Sequence, residues 1–303
     1  MDLKARLDRG RRLPSPDGIL INGRSKGATL NVEQGKTYRF RISNVGLQNS
    51  LNFRIQNHRM KLVEVEGTDT MQTMFSSLDD HVGQPYFVLI TADQSPRDYY
   101  GVASSRFTNK IITITGILRC SGSSTSASGP IPGGPTIEID WSFNQARAIR
   151  TNLKASGPRP NPQGSYHYGL ISLTIVFGSS AGQINGKQTY DFFKINGVYK
   201  INSISDKPTG GGIYLDTSVL QVDYRTFIKI VFENKERTKR ISFKVIISMM
   251  DGGHWNTGSR NGCNLRDAVY PKSWTAIYIA LDNVGLWNLW FEFWARQYLG
   301  QHL

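Results

Sequence analysis

The sequence predicts an all-β protein of two domains, and three features carry that expectation. Tyr38, Phe40 and Ile42 alternate with Arg39 and Arg41, and Leu51, Phe53 and Ile55 repeat the pattern around Arg54, which is the period of strands with one apolar face. Thirty glycines and many Val, Ile, Thr, Tyr and Phe runs stand between Gly, Pro, Asn and Ser punctuation, with no long run of helical period. A Ser/Gly/Pro stretch interrupts a chain of 303 residues whose length and 39% hydrophobic content suit two cores better than one.

Taken in order, residues 1–16 are charged, hold two prolines and show no period, so a disordered leader is expected there. The first domain spans 17–120. Asn44, Val45 and Gly46 close its first strand with turn chemistry, and Asn57-His58 separates the second from a third, Met60 to Glu66, which together read as antiparallel. Further strands are expected at Tyr86–Ala92, Tyr99–Phe107 and Lys110–Leu118. Residues 121–135 cannot bury apolar surface and read as an inter-domain linker. The second domain, 136–303, offers strands at Leu170–Phe177, Phe227–Glu233, Phe243–Met249 and Trp274–Leu281, with Ser156–Gly169 held irregular by its prolines.

A formal net charge of +13 and a pI near 9.8 would draw polyanions. The charge is dispersed, dense only at Lys4–Arg12 and Lys235–Arg240, and adjoins no nucleic-acid motif, so nucleic acid is not an expected partner. Cys120 and Cys263 make no disulfide framework; one bridge forms only if the fold brings them together, and otherwise both are thiols. The opening residues MDLKARLDRGRR lack the apolar stretch of a secretory signal, and no apolar run is long enough to span a bilayer as a helix. No Ser-His-Asp set, paired-carboxylate motif or phosphate loop is found, so no residue is assigned a catalytic role.

Long phrases in PDGILING (Pro16–Gly23), QGKTYRFRISNVG (Gln34–Gly46), VEVEGTDT (Val63–Thr70), IDWSFNQARAIRTNLKASGPRPNPQGSYHYGLI (Ile139–Ile171), KPTGGG (Lys207–Gly212) and VYPKSWTAIYIALDNVGLWN (Val269–Asn288) resemble plant multicopper oxidase-like proteins. The resemblance is to the skewed-growth and pollen-specific branch, homologues of L-ascorbate oxidase and relatives of laccase. It implies two cupredoxin-like Greek-key β-sandwiches, the second incomplete, and a secreted, apoplastic protein associated with the plant cell wall. The oxidases of this family bind copper.

Copper in such enzymes needs two His and a Cys thiolate for the blue site and His-x-His pairs for a three-copper cluster. This chain has five histidines, His58, His81, His167, His254 and His302, and none form such a pair. Where the resemblance places the His-Cys-His-Ile-x-x-His run, the sequence reads Trp290, Phe291, Glu292, Phe293, Trp294, Ala295, Arg296. Trp290 and Glu292 stand at cluster-histidine positions, Phe291 at the thiolate and Arg296 at a blue-copper histidine. The aromatic residues Trp287, Trp290, Phe291, Phe293 and Trp294 are expected to form a packed or partner-facing cluster without metal.

Set against the family pattern, the resemblance begins at the family's second domain and ends at Leu303, before a strand the family is expected to place next. Family segments are missing between Tyr190 and Asp191 and between Ala268 and Val269, and Arg237–Ser242 replaces a strand that should precede Phe243. A truncated product or imperfect gene is one reading of this.

His58 and His81 are expected to be surface or hydrogen-bonded residues. Arg39, Arg41 and Arg54 are expected to share a solvent face that could attract an acidic cell-wall polysaccharide, and His254 with Trp255, after two glycines, is a candidate ligand contact. The functional expectation is a non-catalytic structural or binding protein. Its rival is a copper-dependent oxidoreductase acting on diphenols or ascorbate with dioxygen.

Overall fold

The computed structural model describes residues 2–65, 68–151, 171–184, 187–194, 221–224, 226–234, 245–249, 254–256, 267–270, 273–281, 289–291 and 293–299. The chain divides into two compact units, one built chiefly from Ser15–Ser156 and the other from Met1–Pro14 with most of the chain after Gly157.

In the unit built from Ser15–Ser156, strands β1 (Thr29–Val32), β2 (Thr37–Ile42), β3 (Leu51–Ile55), β4 (Met60–Val65), β5 (Thr68–Asp69), β6 (Met74–Phe75), β7 (Ser77–Asp80), β8 (Tyr86–Thr91), β9 (Tyr99–Ser105) and β10 (Thr113–Cys120) form two sheets. One runs β1-β10-β9-β3-β7 and the other β2-β8-β4-β5, with β6 beside β4. The three runs read first, β2 to β4, thus alternate between sheets instead of pairing as hairpins. The named strands of this unit pair antiparallel except for β1 on β10, which is parallel, as is the isolated bridge between Asn44 and Val82. Met60, Leu62, Val65, Val88 and Ile90 from one sheet and Leu78 and Leu118 from the other are each at most 1% exposed. Full burial of such side chains stabilises by about 1.5–3 kcal/mol each. A bulge between Leu62 and Glu64 shifts the phase of β4, which lets Leu62 and Val65, three positions apart, both face inward.

Two elements that the strand pattern did not reveal cover the outer side of the β1-β10-β9-β3-β7 sheet. Helix α2 (Ile139–Thr151) is three turns long, so the all-β chain carries a helix where no helical period was seen. Among its described residues the most buried are Ser142, Gln145 and Ile149, an i, i+3, i+7 face with two polar members, and a polar seam hides from a search for apolar periodicity. The stretch 121–135, expected to act as a linker, lies within this unit and is pinned along it. Asp98 N–H donates to Thr125 O at 2.9 Å, Tyr100 Oη to Ala127 O at 3.1 Å, and Gln56 Nε2 to Ser128 O at 3.0 Å. Low apolar content excludes a core role but does not exclude a backbone whose carbonyls are held by side chains. Contacts therefore divide the chain after the helix, near Ser156, and not at 120.

The other unit holds β11 (Leu173–Ile184), β12 (Lys187–Lys194), β13 (Phe227–Asn234), β14 (Val245–Met249), β15 (His254–Asn256), β16 (Asp267–Val269), β17 (Ser273–Ala280) and β18 (Leu289–Phe291). These pair as β12-β11-β13-β17-β15 and as β16-β14-β18. The four strand expectations for this domain fall on β11, β13, β14 and β17. Two junctions where family segments were expected to be missing lie inside paired strands: Tyr190 and Asp191 oppose Ala181 and Ser180, and Ala268 and Val269 oppose Ile246 and Val245. The third junction, 237–242, lies outside the described residues.

The expected disordered leader contains a short helix, α1 (Leu3–Asp8), which belongs to this second unit. Asp2 caps it by accepting from the N–H groups of Lys4 and Ala5, and Leu7 is 3% exposed. Tyr298, at the end of helix α3 (Trp294–Tyr298), donates its hydroxyl to Asp8 at 3.2 Å and lies under the Lys4 ammonium at 5.8 Å from its centroid. Burial and then Asp8 raise the pKa of the Tyr298 phenol.

Candidate functional site

The functional geometry of the first sandwich is on the outer side of β3, where polar side chains meet the strap 121–135 and α2. The burial pattern of β3 inverts the expectation, because Asn52 and Arg54 are 0% and 6% exposed while Leu51 and Phe53 are only half-buried. Asn52 Nδ2 donates to Asp79 Oδ1 at 2.9 Å, and Arg106 Nε donates to both Asp79 oxygens at 2.9 Å. Arg106 is 1% exposed; its Nη2 donates to Glu138 O at 3.0 Å and its guanidinium lies over the Phe107 and Trp141 rings. Gln145 closes the seam: its Oε1 accepts from Asp79 N–H at 2.8 Å and its Nε2 donates to Ser77 O at 2.9 Å. One amide thereby replaces two ladder partners at the edge strand β7. This network clamps α2 to the sheet and is structural.

Sequence reasoning passed over Asp79, Arg106 and Gln145. The available signal was weak: Ser77, Asp79 and Asp80 flank the apolar Leu78 in β7, and all four residues of that strand are buried.

Beside the network, a cleft of about 400 Å³ is lined by Arg54, His58, Arg59, Ser76, Pro132 and Gly133, among others. Arg54 Nη1 donates to Asn52 Oδ1 at 3.1 Å and to Ser104 Oγ at 2.8 Å, and its Nε donates to Pro132 O at 2.7 Å. Among the described residues no carboxylate lies within ion-pair distance of Arg54. Desolvation lowers its pKa from the ordinary guanidinium value, which still leaves it charged at neutral pH. A Cβ at Gly134 would stand 2.7 Å from Arg54 Cζ, so the strap backbone lies directly against the guanidinium and a side chain there would have to displace it.

The expected shared face of three arginines does not form. Arg39 and Arg41 are exposed on β2, in the other sheet, whereas Arg54 is buried on β3. Arg39 Nη2 pairs with Glu64 at 2.6 Å, and both Arg39 and Arg41 stack over the Phe87 ring, at 4.3 and 4.7 Å from its centroid. The pattern placed all three opposite the core correctly but could not show that strap and helix cover one sheet only.

His58 and His81 are hydrogen-bonded, but both are buried and neither is a surface residue. His58 Nδ1 lies 2.7 Å from Gln56 O with the ring edge against Tyr99, and His81 Nδ1 lies 2.7 Å from Ser50 Oγ. Cys120 is a buried free thiol; Cys263, His167, His302, Trp287 and Glu292 lie outside the described residues. His254 and Trp255 are on the edge strand β15, opposite Ala280 and Ile279 of β17.

In the run where the resemblance places copper ligands, Trp290 and Phe291 are in β18, opposite Ser248 and Ile247. Phe293 and Trp294 are half-buried, Trp294 stacks on Tyr298 at 5.6 Å, and Arg296 is 2% exposed. Indole, benzyl and guanidinium groups are not copper donors, so Trp290, Phe291 and Arg296 do not fit the metal. Among the described residues no group of three or more His, Cys, Asp or Glu is placed to hold an ion. No helix among them is long and apolar enough to cross a membrane.

A two-sheet sandwich of this topology defines a cupredoxin-like protein, and the comparisons agree. Fet3p, a multicopper oxidase that functions in iron import, superposes with a TM-score of 0.69 at 17% identity, over 98% of this chain and 60% of that one. Sequence profiles of the multicopper oxidase family match residues 1–123 and 187–303. An L-ascorbate oxidase homolog of Brassica napus is 43% identical over 99% of this chain and 61% of its own length. Monocopper oxidase-like protein SKS2 of Arabidopsis thaliana is 41% identical over 99% of this chain and 59% of its own. The chain belongs to the multicopper oxidase family, and it spans less than two thirds of the length of these relatives.

Proposed function

We propose that this chain is a non-catalytic member of the family, a structural or binding protein that is secreted and associated with the plant cell wall, and that it binds no copper of its own. The observation that carries the reading is the run Trp290–Arg296, in which Trp290, Phe291 and Arg296, side chains without donor atoms for copper, stand at three ligand positions of the resemblance and Glu292 puts a carboxylate in place of an imidazole at a fourth. Its support is the chemistry of those side chains and the burial of Arg296, a cation in a place that would otherwise receive one. The wall association rests on the resemblance, and the acidic polysaccharide partner rests on the basic balance of the chain.

Metal analysis and visible spectroscopy of the purified protein test this. We expect less than one tenth of an equivalent of copper and no blue absorption band, which is roughly what adventitious binding leaves. Stoichiometric copper with dioxygen-consuming turnover of a diphenol or ascorbate would establish the oxidoreductase reading instead.

A further inference from the structure

We propose that the cleft beside Arg54 binds a hydroxylated ring bearing one carboxylate, a uronic acid unit. The proposal deepens the binding role above and relies on that reading only for the polymer to which the unit belongs.

Its first support is charge. Arg54 is 6% exposed, yet the oxygens that hold it, from Pro132, Asn52 and Ser104, are all neutral. A buried cation held by neutral groups alone lacks the counter-charge that normally accompanies burial. The three bonds occupy Nε and Nη1, which leaves Nη2 as the donor nitrogen for a ligand in the cleft that Arg54 lines. Exposed Arg59 supplies a second guanidinium on the lining, and among the described residues no carboxylate lines the cleft with them.

The second support is the remaining lining and its size. Ser76 offers a hydroxyl and Pro132 and Gly133 offer backbone, while His58 has its Nδ1 engaged by Gln56 O and presents an imidazole. These groups match ring hydroxyls better than an aliphatic chain. A volume of about 400 Å³ lies in the range of small-molecule sites, roughly 300–1,000 Å³, and exceeds what a lone inorganic anion fills.

The third support is rigidity. Gly134 lies against the guanidinium and Pro132 accepts from it, so the strap fixes the charge before a ligand arrives. Pre-organisation of this kind lowers the ordering cost of binding.

Calorimetric titration of the full chain with galacturonate, galactose and inorganic phosphate tests the proposal, with copper content measured on the same preparation. Galacturonate is expected to bind at least tenfold more tightly than galactose and than phosphate. Gly133→Leu is the cleanest variant, because Gly133 lines the cleft and a Cβ there meets nothing within 4 Å. It should keep the melting temperature and lose at least tenfold in affinity; Arg59→Ala should lose several-fold. Equal affinity for galactose would remove the carboxylate from the recognition, equal or tighter phosphate binding would remove the sugar, and unchanged affinity in Gly133→Leu would remove the cleft. Copper-free protein that ignores galacturonate overturns this site and leaves the non-catalytic reading standing. Copper-loaded protein that binds galacturonate does the reverse.

Discussion

Strands β2 and β3 carry the same alternation of apolar and basic residues, yet their arginines have opposite fates. On β2 the outer face meets water: Arg39 and Arg41 are exposed, share the Phe87 ring, and Arg39 reaches Glu64. On β3 the outer face lies under the strap and beside α2, so Asn52 and Arg54 are more buried than Leu51 and Phe53. The comparison teaches that alternation identifies the side turned toward the core but says nothing about whether the other side is wet.

The contrast can be broken most severely at Arg106. Arg106→Met leaves the Asp79 carboxylate buried without its ion pair, so a loss of about 3–5 kcal/mol is expected, measured by denaturant unfolding. A loss below about 1 kcal/mol would mean that this face is hydrated like that of β2.

Gln145→Ala should cost less, about 1–3 kcal/mol, because Asp79 N–H and Ser77 O each lose a partner while buried. Hydrogen exchange would show the opening at β7 and α2 first, leaving β2 and β8 protected as before.

Arg39→Ala, on the wet face, should change stability by no more than about 1 kcal/mol, and 1 M salt should erase most of that change. The same salt should leave the cost of Arg106→Met nearly intact.

The smallest effect concerns pH. The Glu138 carboxylate is held below its ordinary range by its own backbone N–H, then by that of Thr136, with Arg106 contributing further. A depressed folded pKa means that the folded state binds the proton less readily, so its contribution to stability is present above the ordinary carboxylate pKa and is lost as pH falls through the depressed value. Glu138→Gln should therefore flatten the acid limb of the stability profile slightly, since the side chain is 56% exposed. An unchanged acid limb would show that the Thr136–Glu138 turn carries no charge-dependent stability.

The sequence by itself determined where β2, β3, β4, β8, β9, β10, β11, β13, β14 and β17 run, because a period of two and its turn residues are local properties, whereas β1, β5, β6, β7, β12, β15, β16 and β18 were not legible in it. Tyr38, Phe40 and Ile42 face inward relative to Arg39 and Arg41 as the alternation requires, and Tyr86–Thr91, Phe227–Asn234 and Ser273–Ala280 are strands where their composition indicates. It also displayed Trp290, Phe291 and Arg296, which offer copper no donor, since side-chain chemistry needs no coordinates. Only the tertiary structure decided that Arg54 is buried, that residues 121–135 form a strap, that α2 docks by a polar seam and that a cleft opens beside them. The reason is separation along the chain: Arg54 meets Pro132 from 78 positions away, Asp79 meets Gln145 from 66 and Arg106 from 27. A buried polar group is stable only through partners, and partners this distant leave no periodic trace in the sequence.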